Sequence, residues 1–349
     1  MRLLIEIDGS FGEGGGQILR TALVLSAISG KPFSLANIRA NRPQPGLKPQ
    51  HVKSIEAVAE VCRAEFSRVG PGARELRFEP GQLVAGDYRF DIGTAGATGL
   101  VLQTVLLALA YADAPSNVTT TGGTHVPWSP CFQYLDWHWR HYLRQIGFSF
   151  DLTLVRAGFY PPGGGEIRAR VSPHAQLRPL LLNERGALRR IRGVSAVAKL
   201  PLSIAERQQQ QALKRLARLE CPVAIQVETV DALSAGTYLV LLAEFEHSQC
   251  CMTSLGARGK RAETVADEAV DALEHFLDSP GVIDAHLADQ LLIPLALAQG
   301  TSQLQTEAVT THLFTNAEVI RRFLDVSIEI DGSIGKPGTV TVLPATLAP

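Results

Sequence analysis

The sequence predicts an α/β (α+β) fold of three repeated βαβαββ-like units, each a sheet with helices on one face, plus an inserted smaller α/β domain. Three observations carry this. A helix, strand, loop, helix pattern recurs three times; each copy is followed by an alternating hairpin-like stretch; and roughly a hundred residues between the second and third copies match neither.

The elements follow in chain order. "MRLLIEIDGS" reads as a strand rather than a signal peptide, because Glu6 interrupts the apolar run and no small-residue cleavage site follows. A Gly-rich turn leads into the apolar helix "QILRTALVLSAISG" (17–30), the strand "FSLANIRA" (33–40), a Pro-containing loop and the helix "QHVKSIEAVAEVCRA" (50–64). The second copy has a helix within "GTAGATGLVLQTVLLALAYADA" (93–114), a strand "SNVTTTGG" (116–123) and a helix "CFQYLDWHWRHYLRQIG" (131–147). The third has "DAHLADQLLIPLALAQG" (284–300), the strand "QLQTEAVT" (303–310) and a helix whose capping box, Thr315 with Glu318, predicts a start at Thr315. The hairpin patterns are "ELRFEP…YRFDIG", "FDLTLVRAGFYPPGGGEIRARV" and "VSIEIDGSIGKPGTVTVL". The unmatched stretch holds a Gln-rich helix (205–220), two strands and a further helix (261–278). The predicted division is therefore 1–183 with 277–349 for the repeats, and 184–276 for the insert.

Composition bounds the function. Of 349 residues, 46% are hydrophobic and 19% charged, with a net charge of −1, so a packed soluble protein is expected, without a global basic field for coating nucleic acid. The longest apolar run, 99–112, contains Gln103 and is too short to span a bilayer, so the expected location is cytoplasmic. Five cysteines, at 62, 131, 221, 250 and 251, form no zinc-type spacing and are expected to be reduced thiols; Cys250 and Cys251, adjacent on a strand, should face opposite sides.

Several motifs carry chemistry. "IDGSFGEGGGQILR" (7–20) is strand, Gly-rich turn, helix, a form that brings backbone N–H groups close to phosphate. It lacks the ending of a P-loop, and Gln17 stands where a dinucleotide fingerprint has its third glycine; a plain tight turn fits equally well. A lone carboxylate there, Glu13, suits Mg2+ or Mn2+ held mainly by phosphates and water. "IRANRPQPGLKPQH" (38–51) gathers Arg39, Arg42, Lys48, Gln50 and His51, which reads either as a solvated basic loop or as a grip on a terminal phosphate. "WHWRHY" sets His138 and His141 three apart, where packing is the simpler reading than metal ligation. In "TTHLFTN" (310–316), His312 lies beside a helix N-terminus, which attracts phosphate and disfavours a protonated imidazole. It serves there as a local hydrogen-bond partner or as a nucleophile.

Together "DGSFGEGGGQILR", "IRANRPQPGLKPQH", "GLVLQT", "GFYPPGGG", "LADQLLIPLALA" and "THLFTN" resemble, in order and spacing, the RNA 3′-terminal phosphate cyclase family over nearly the whole chain. The resemblance implies an enzyme of ligase-type nucleotidyl transfer. ATP would turn an RNA 3′-phosphate into a 2′,3′-cyclic phosphodiester through an AMP carried on His312 and then on the RNA, releasing AMP and pyrophosphate. By position, it implies that Glu13 holds the metal ion, that Gln103, Pro130, His286, Leu287, Ala288, Asp289 and Gln290 bind the nucleotide, and that Arg20, Arg39, Arg42, Gln50 and His51 grip the RNA end. RNA 3′-phosphate ends are thus the expected partner, with no membrane and with a homodimer as a compatible assembly. Two positions depart from the family pattern: His286 replaces the usual Tyr beside the adenine, and Ala157 replaces a basic residue before the Gly of "GFYPPGGG", with Arg156 adjacent. Competing readings are a non-catalytic relative acting as a scaffold in ribosomal RNA maturation, and a small-molecule transferase on a similar repeated fold; a scaffold has no need of His312.

Overall fold

A computed structural model describes residues 3–344 of the chain. Its first sheet is built from β1 (Ile5–Asp8), β2 (Phe33–Ala36), β3 (Glu65–Phe66) and β4 (Leu76–Glu79), in the order β1-β2-β4-β3, with α1 (Gly16–Ser29) and α2 (Pro49–Cys62) between strands. The second contains β5 (Asp87–Asp91), α3 (Thr98–Leu109), β6 (Ser116–Gly122), a π-helical segment Tyr134–Trp139 running into α4 (Arg140–Ile146), β7 (Ser149–Arg156) and β8 (Gly165–Ser172). Its order, β5-β6-β8-β7, repeats the first. The third opens with β9 (Leu181–Leu182), and the chain then leaves to form a fourth sheet.

That fourth unit comprises β10 (Leu188–Ala198), α5 (Leu202–Leu216), β11 (Val223–Thr229), β12 (Gly236–Phe245), β13 (Gln249–Leu255) and α6 (Ala262–Asp278), with strand order β11-β10-β12-β13. The chain returns as α7 (Ala285–Ala296), β14 (Ser302–Thr306), α8 (Thr311–Phe323), β15 (Val326–Asp331) and β16 (Gly338–Pro344), giving β9-β14-β16-β15. In all three repeats the first two strands pair parallel and the other pairings are antiparallel, so one βαβαββ topology recurs three times.

Two local expectations need correction. "ELRFEP…YRFDIG" is not a hairpin: β4 pairs with β2 and β3, while β5 opens the second sheet beside β6. The connection crosses the end of α2, where Val84 N–H bonds the Val61 carbonyl and a Cβ on Gly81 would lie 2.6 Å from the Arg63 carbonyl oxygen, so the loop hands the chain to the next sheet instead of folding back. The last helix begins at Thr311, not Thr315, because the Thr310 hydroxyl accepts from Leu313 N–H and caps it there. Thr315 lies inside the helix and donates to the Thr311 carbonyl.

The helices of the repeats meet at the centre. α1 packs on α2, α3 and α8, and α7 on α8. α3 is apolar nearly all round, from Val101 and Leu102 to Leu109, as a helix covered on every side must be. A fully buried Leu such as Leu23 contributes roughly 1.5–3 kcal/mol through apolar burial, so the hub is held by many such terms. The fourth sheet has a second core of its own against α5 and α6, while its other face joins the main core. Cys250 points into the former and Cys251 into the latter, the opposite facing expected of neighbours on β13. All five cysteines are free thiols. Among the described residues no helix is long and apolar enough to cross a membrane.

Candidate active site

The Gly-rich turn after β1 and the first turn of α8 face each other. Gly12 has φ +57°, and a Cβ there would sit 2.2 Å from Thr315 Oγ1, so the turn and α8 approach as only glycine permits. Thr315 Oγ1 also accepts from Glu13 N–H at 3.1 Å, fixing that residue against the helix. His312, in the first turn of α8, points at the same turn. Its Nδ1 is hydrogen-bonded to Gln17 Oε1 and lies 3.0 Å from Glu13 Oε2; its side chain is 40% exposed, so a ligand can reach it. Nε2 makes no hydrogen bond among the described residues. Burial first, then the charges of Arg20, Arg42 and His286, push the His312 ring down to about 4, so it is neutral at physiological pH.

Around this ring the structure gathers most of the residues expected from sequence. Arg42 pairs with Glu13 Oε1, while Glu13 Oε2 is buried without a hydrogen bond. Arg20, one turn along α1 from Gln17, is desolvated enough to bring its guanidinium down to about 10 despite the neighbouring Asp289. Burial likewise drives Asp289 up to about 8, opposed by Arg20 and by a hydrogen bond from Gln17. His51 is buried; its Nδ1 accepts from Lys48 N–H at 3.0 Å, leaving the proton on Nε2, and a Cβ on Gly16 would lie 2.3 Å from that nitrogen. Burial and then Arg20, Arg39 and Lys48 hold His51 down to about 3. Gln50 Oε1 accepts from Ala97 N–H at the start of α3.

Helices α3 and α7 close the other side. Gln103 on α3 donates to Gln290 on α7 at 2.7 Å, and Pro130 lies against the start of α3 at Gly99. His286 is exposed in the first turn of α7, which Asp284 caps through the N–H groups of His286 and Leu287. Asn316 ties the arrangement together, accepting from Thr21 on α1 at 2.6 Å and donating to the Asp289 carbonyl at 2.8 Å.

Some expected residues are placed differently. Arg39 turns inward with a positive φ, buried, its Nη1 donating to the carbonyls of Gln44 and Gly46, so it shapes its own loop rather than standing free. Leu287 and Ala288 have fully buried side chains and can offer a ligand only backbone. His138 is buried with Nε2 2.6 Å from Asp284 Oδ2, and His141 bonds Gln145, so both rings are engaged within the chain. Arg156 donates to the Gly164 carbonyl at 2.7 Å, holding the glycine turn, while Ala157 is sealed under the fourth unit with its N–H on the Asp231 carbonyl. Gln17 and Asn316 were not singled out by sequence as site residues. The available signal was the polar trio Gln17, Arg20 and Thr21, spaced to share one face of an otherwise apolar helix.

A profile of the family described as RNA 3′-terminal phosphate cyclase matches residues 11–330. Among curated proteins, the RNA 3′-terminal phosphate cyclase of Methanopyrus kandleri is 44% identical over 348 residues, covering 98% of this chain and 99% of that protein. The protein so named from Archaeoglobus fulgidus is 42% identical over 330 residues (95% and 98% covered), and that from Methylococcus capsulatus 44% over 328 (92% and 91%). A solved enolpyruvyl transferase from Streptomyces tendae aligns with 97% of this chain and 48% of its own length, at 11% identity and a TM-score of 0.37.

Proposed function

The chain belongs to the RNA 3′-terminal phosphate cyclase family, and from that premise we propose that it uses ATP to close an RNA 3′-terminal phosphate into a 2′,3′-cyclic phosphodiester, with His312 as the nucleophile. The observation that carries the reading is His312 itself: a neutral ring in the first turn of a helix, facing a Gly-rich turn, with Nε2 unengaged and the ring open to solvent. The helix N-terminus and nearby Arg20 and Arg42 make that place attractive to phosphate.

In this reading the Nε2 lone pair attacks the α-phosphorus of ATP, and the bond to pyrophosphate breaks with its electrons on the leaving oxygen. An oxygen of the RNA 3′-phosphate then takes the AMP from His312. The adjacent 2′-OH, losing its proton, attacks that phosphate and expels AMP. A covalent carrier divides one hard activation into easier transfers. Arg20, Arg42, Gln50 and His51 would receive the RNA phosphate, with Arg39 setting the loop that presents Arg42. His286, Pro130 and the Gln103–Gln290 pair would flank the nucleotide, with backbone from Leu287 and Ala288.

The residues fit a single divalent ion, Mg2+ or Mn2+, held chiefly by phosphates and water. Glu13 presents a buried oxygen with no hydrogen bond, and no group of three or more ligating side chains occurs among the described residues. Such an ion would neutralise triphosphate charge. The reading places the enzyme in the cytoplasm, where five free thiols persist.

The test is an RNA oligonucleotide ending in a 3′-phosphate, incubated with ATP and Mg2+. The expected product resists phosphatase, and the same strand with a 2′-deoxy terminus forms no ring. Unchanged 3′-phosphate RNA under conditions where the folded protein binds ATP would overturn the assignment.

A further inference from the structure

Gln17 joins two groups that have no direct contact. Its Oε1 meets His312 Nδ1, and its side chain is among the groups that hold down the Asp289 carboxyl. These partners fix the amide's orientation, since only a carbonyl oxygen can accept from a ring N–H while the NH2 group serves a carboxyl oxygen. We propose that Asp289, Gln17 and His312 form a carboxyl–amide–imidazole relay in which Gln17 is a positioning residue that keeps the His312 proton on Nδ1 and the lone pair on Nε2. The inference rests on His312 being the nucleophile, and it adds what keeps the lone pair on Nε2.

Glu13 is the rival for Nδ1, because its Oε2 is 3.0 Å away. That oxygen nevertheless forms no hydrogen bond, and the other oxygen is held by Arg42. Chemistry also favours the amide. A carboxylate bonded to Nδ1 would also raise the basicity of Nε2 and so favour imidazolium. A neutral amide fixes the tautomer without that cost. Asp289 supports this role from a buried position: burial pushes it up to about 8, so at neutral pH it is largely the uncharged acid, whose carbonyl oxygen still accepts from Gln17. The site thus aims the ring with uncharged groups. When Nε2 bonds to phosphorus, Nδ1 keeps its proton, and the positive charge left on the ring faces the Gln17 oxygen.

The experiment reads the tautomer directly, by 15N NMR of histidine-labelled full-length protein without ATP, with His312→Ala assigning the signal. Wild type should carry its proton on Nδ1, and Gln17→Met should move it toward Nε2, the form favoured by free histidine. Adenylation should then slow by roughly 10–100-fold, the size typical of losing a partner that orients a reactive imidazole, with the KM for ATP little changed. Because Gln17 is buried, a second measurement guards against misfolding: Gln17→Met should keep the wild-type far-UV circular dichroism spectrum, so that a lost tautomer or rate is read on folded protein. A wild-type proton on Nε2, or a Gln17→Met protein that keeps wild-type tautomer and rate, overturns the relay. Adenylation that persists in His312→Ala would instead remove the nucleophile assignment, a result separable from the NMR.

Discussion

Asp284 is a sharp point at which to perturb the structure. Its buried carboxylate accepts from the N–H groups of His286 and Leu287 at 3.1 and 3.0 Å and from the Tyr134 hydroxyl at 3.0 Å, and its second oxygen lies 2.6 Å from His138 Nε2. Burial alone would raise the carboxyl, yet the His138 bond and charge and the cap N–H groups outweigh it and hold the group below its usual range. Asp284→Ala removes a helix cap, worth about 1 kcal/mol, and strands two buried polar groups, each worth roughly 1–3 kcal/mol. The sum is roughly 3–7 kcal/mol, and the 3–5 kcal/mol typical of breaking a buried pair selects about 4 kcal/mol. At roughly 2 °C per kcal/mol for a chain this long, the melting temperature should fall by on the order of 8 °C. Asp284→Asn keeps an acceptor for the cap but sets an NH2 against His138, costing about 1–2 kcal/mol. Urea titration of both variants checks the order. The functional signature is a raised KM for ATP, because the first turn of α7 carries His286. A loss below about 1 kcal/mol in Asp284→Ala would refute the claim that this carboxylate links the π-helical segment to α7.

Gly12→Ala should abolish adenylation while the fold survives, since it adds a Cβ 2.2 Å from Thr315 Oγ1 at φ +57°; catalysis by the variant near the wild-type rate would show that the turn need not touch α8. Acid should weaken the protein: burial holds His51 to about 3 and His125 to about 4, so the native state binds fewer protons than the unfolded chain below about pH 6.5, and their stabilisation is full above that pH and lost as pH falls toward 4. For His125 this amounts to at most roughly 3 kcal/mol, measurable as a urea midpoint that falls between pH 7.5 and 4.5, and less so in His125→Gln. His286→Tyr should lower the KM for ATP by about two- to tenfold through better stacking, and an unchanged KM would place the adenine elsewhere.

The repeats were legible because each unit has its own apolar helices and alternating strands, a pattern written locally. The partner of β5 was not, since strand pairing across separate sheets depends on where a loop such as 80–86 is pinned, here on α2. The start of α8 was missed because Thr310 and Thr315 are equally good caps by type, and only the turn packed around Gly12 distinguishes them. Glu13, Arg20 and Arg42, which lie around His312, were singled out by residue type and position. Gln17 was noticed only as a missing glycine, because an amide declares its role through the partners on either side, and those lie 295 residues away in the case of His312. Arg39 read as a free cation because nothing local reveals that its guanidinium folds back onto the carbonyls of Gln44 and Gly46.

The central claim is a covalent bond between one imidazole nitrogen and AMP. Protein treated with ATP and Mg2+, digested and sequenced by mass spectrometry at neutral pH, should carry a single adenylyl group on the peptide containing His312, and His312→Ala should carry none. An adenylyl group on any other side chain, or none on protein that is closing RNA ends, would contradict the account.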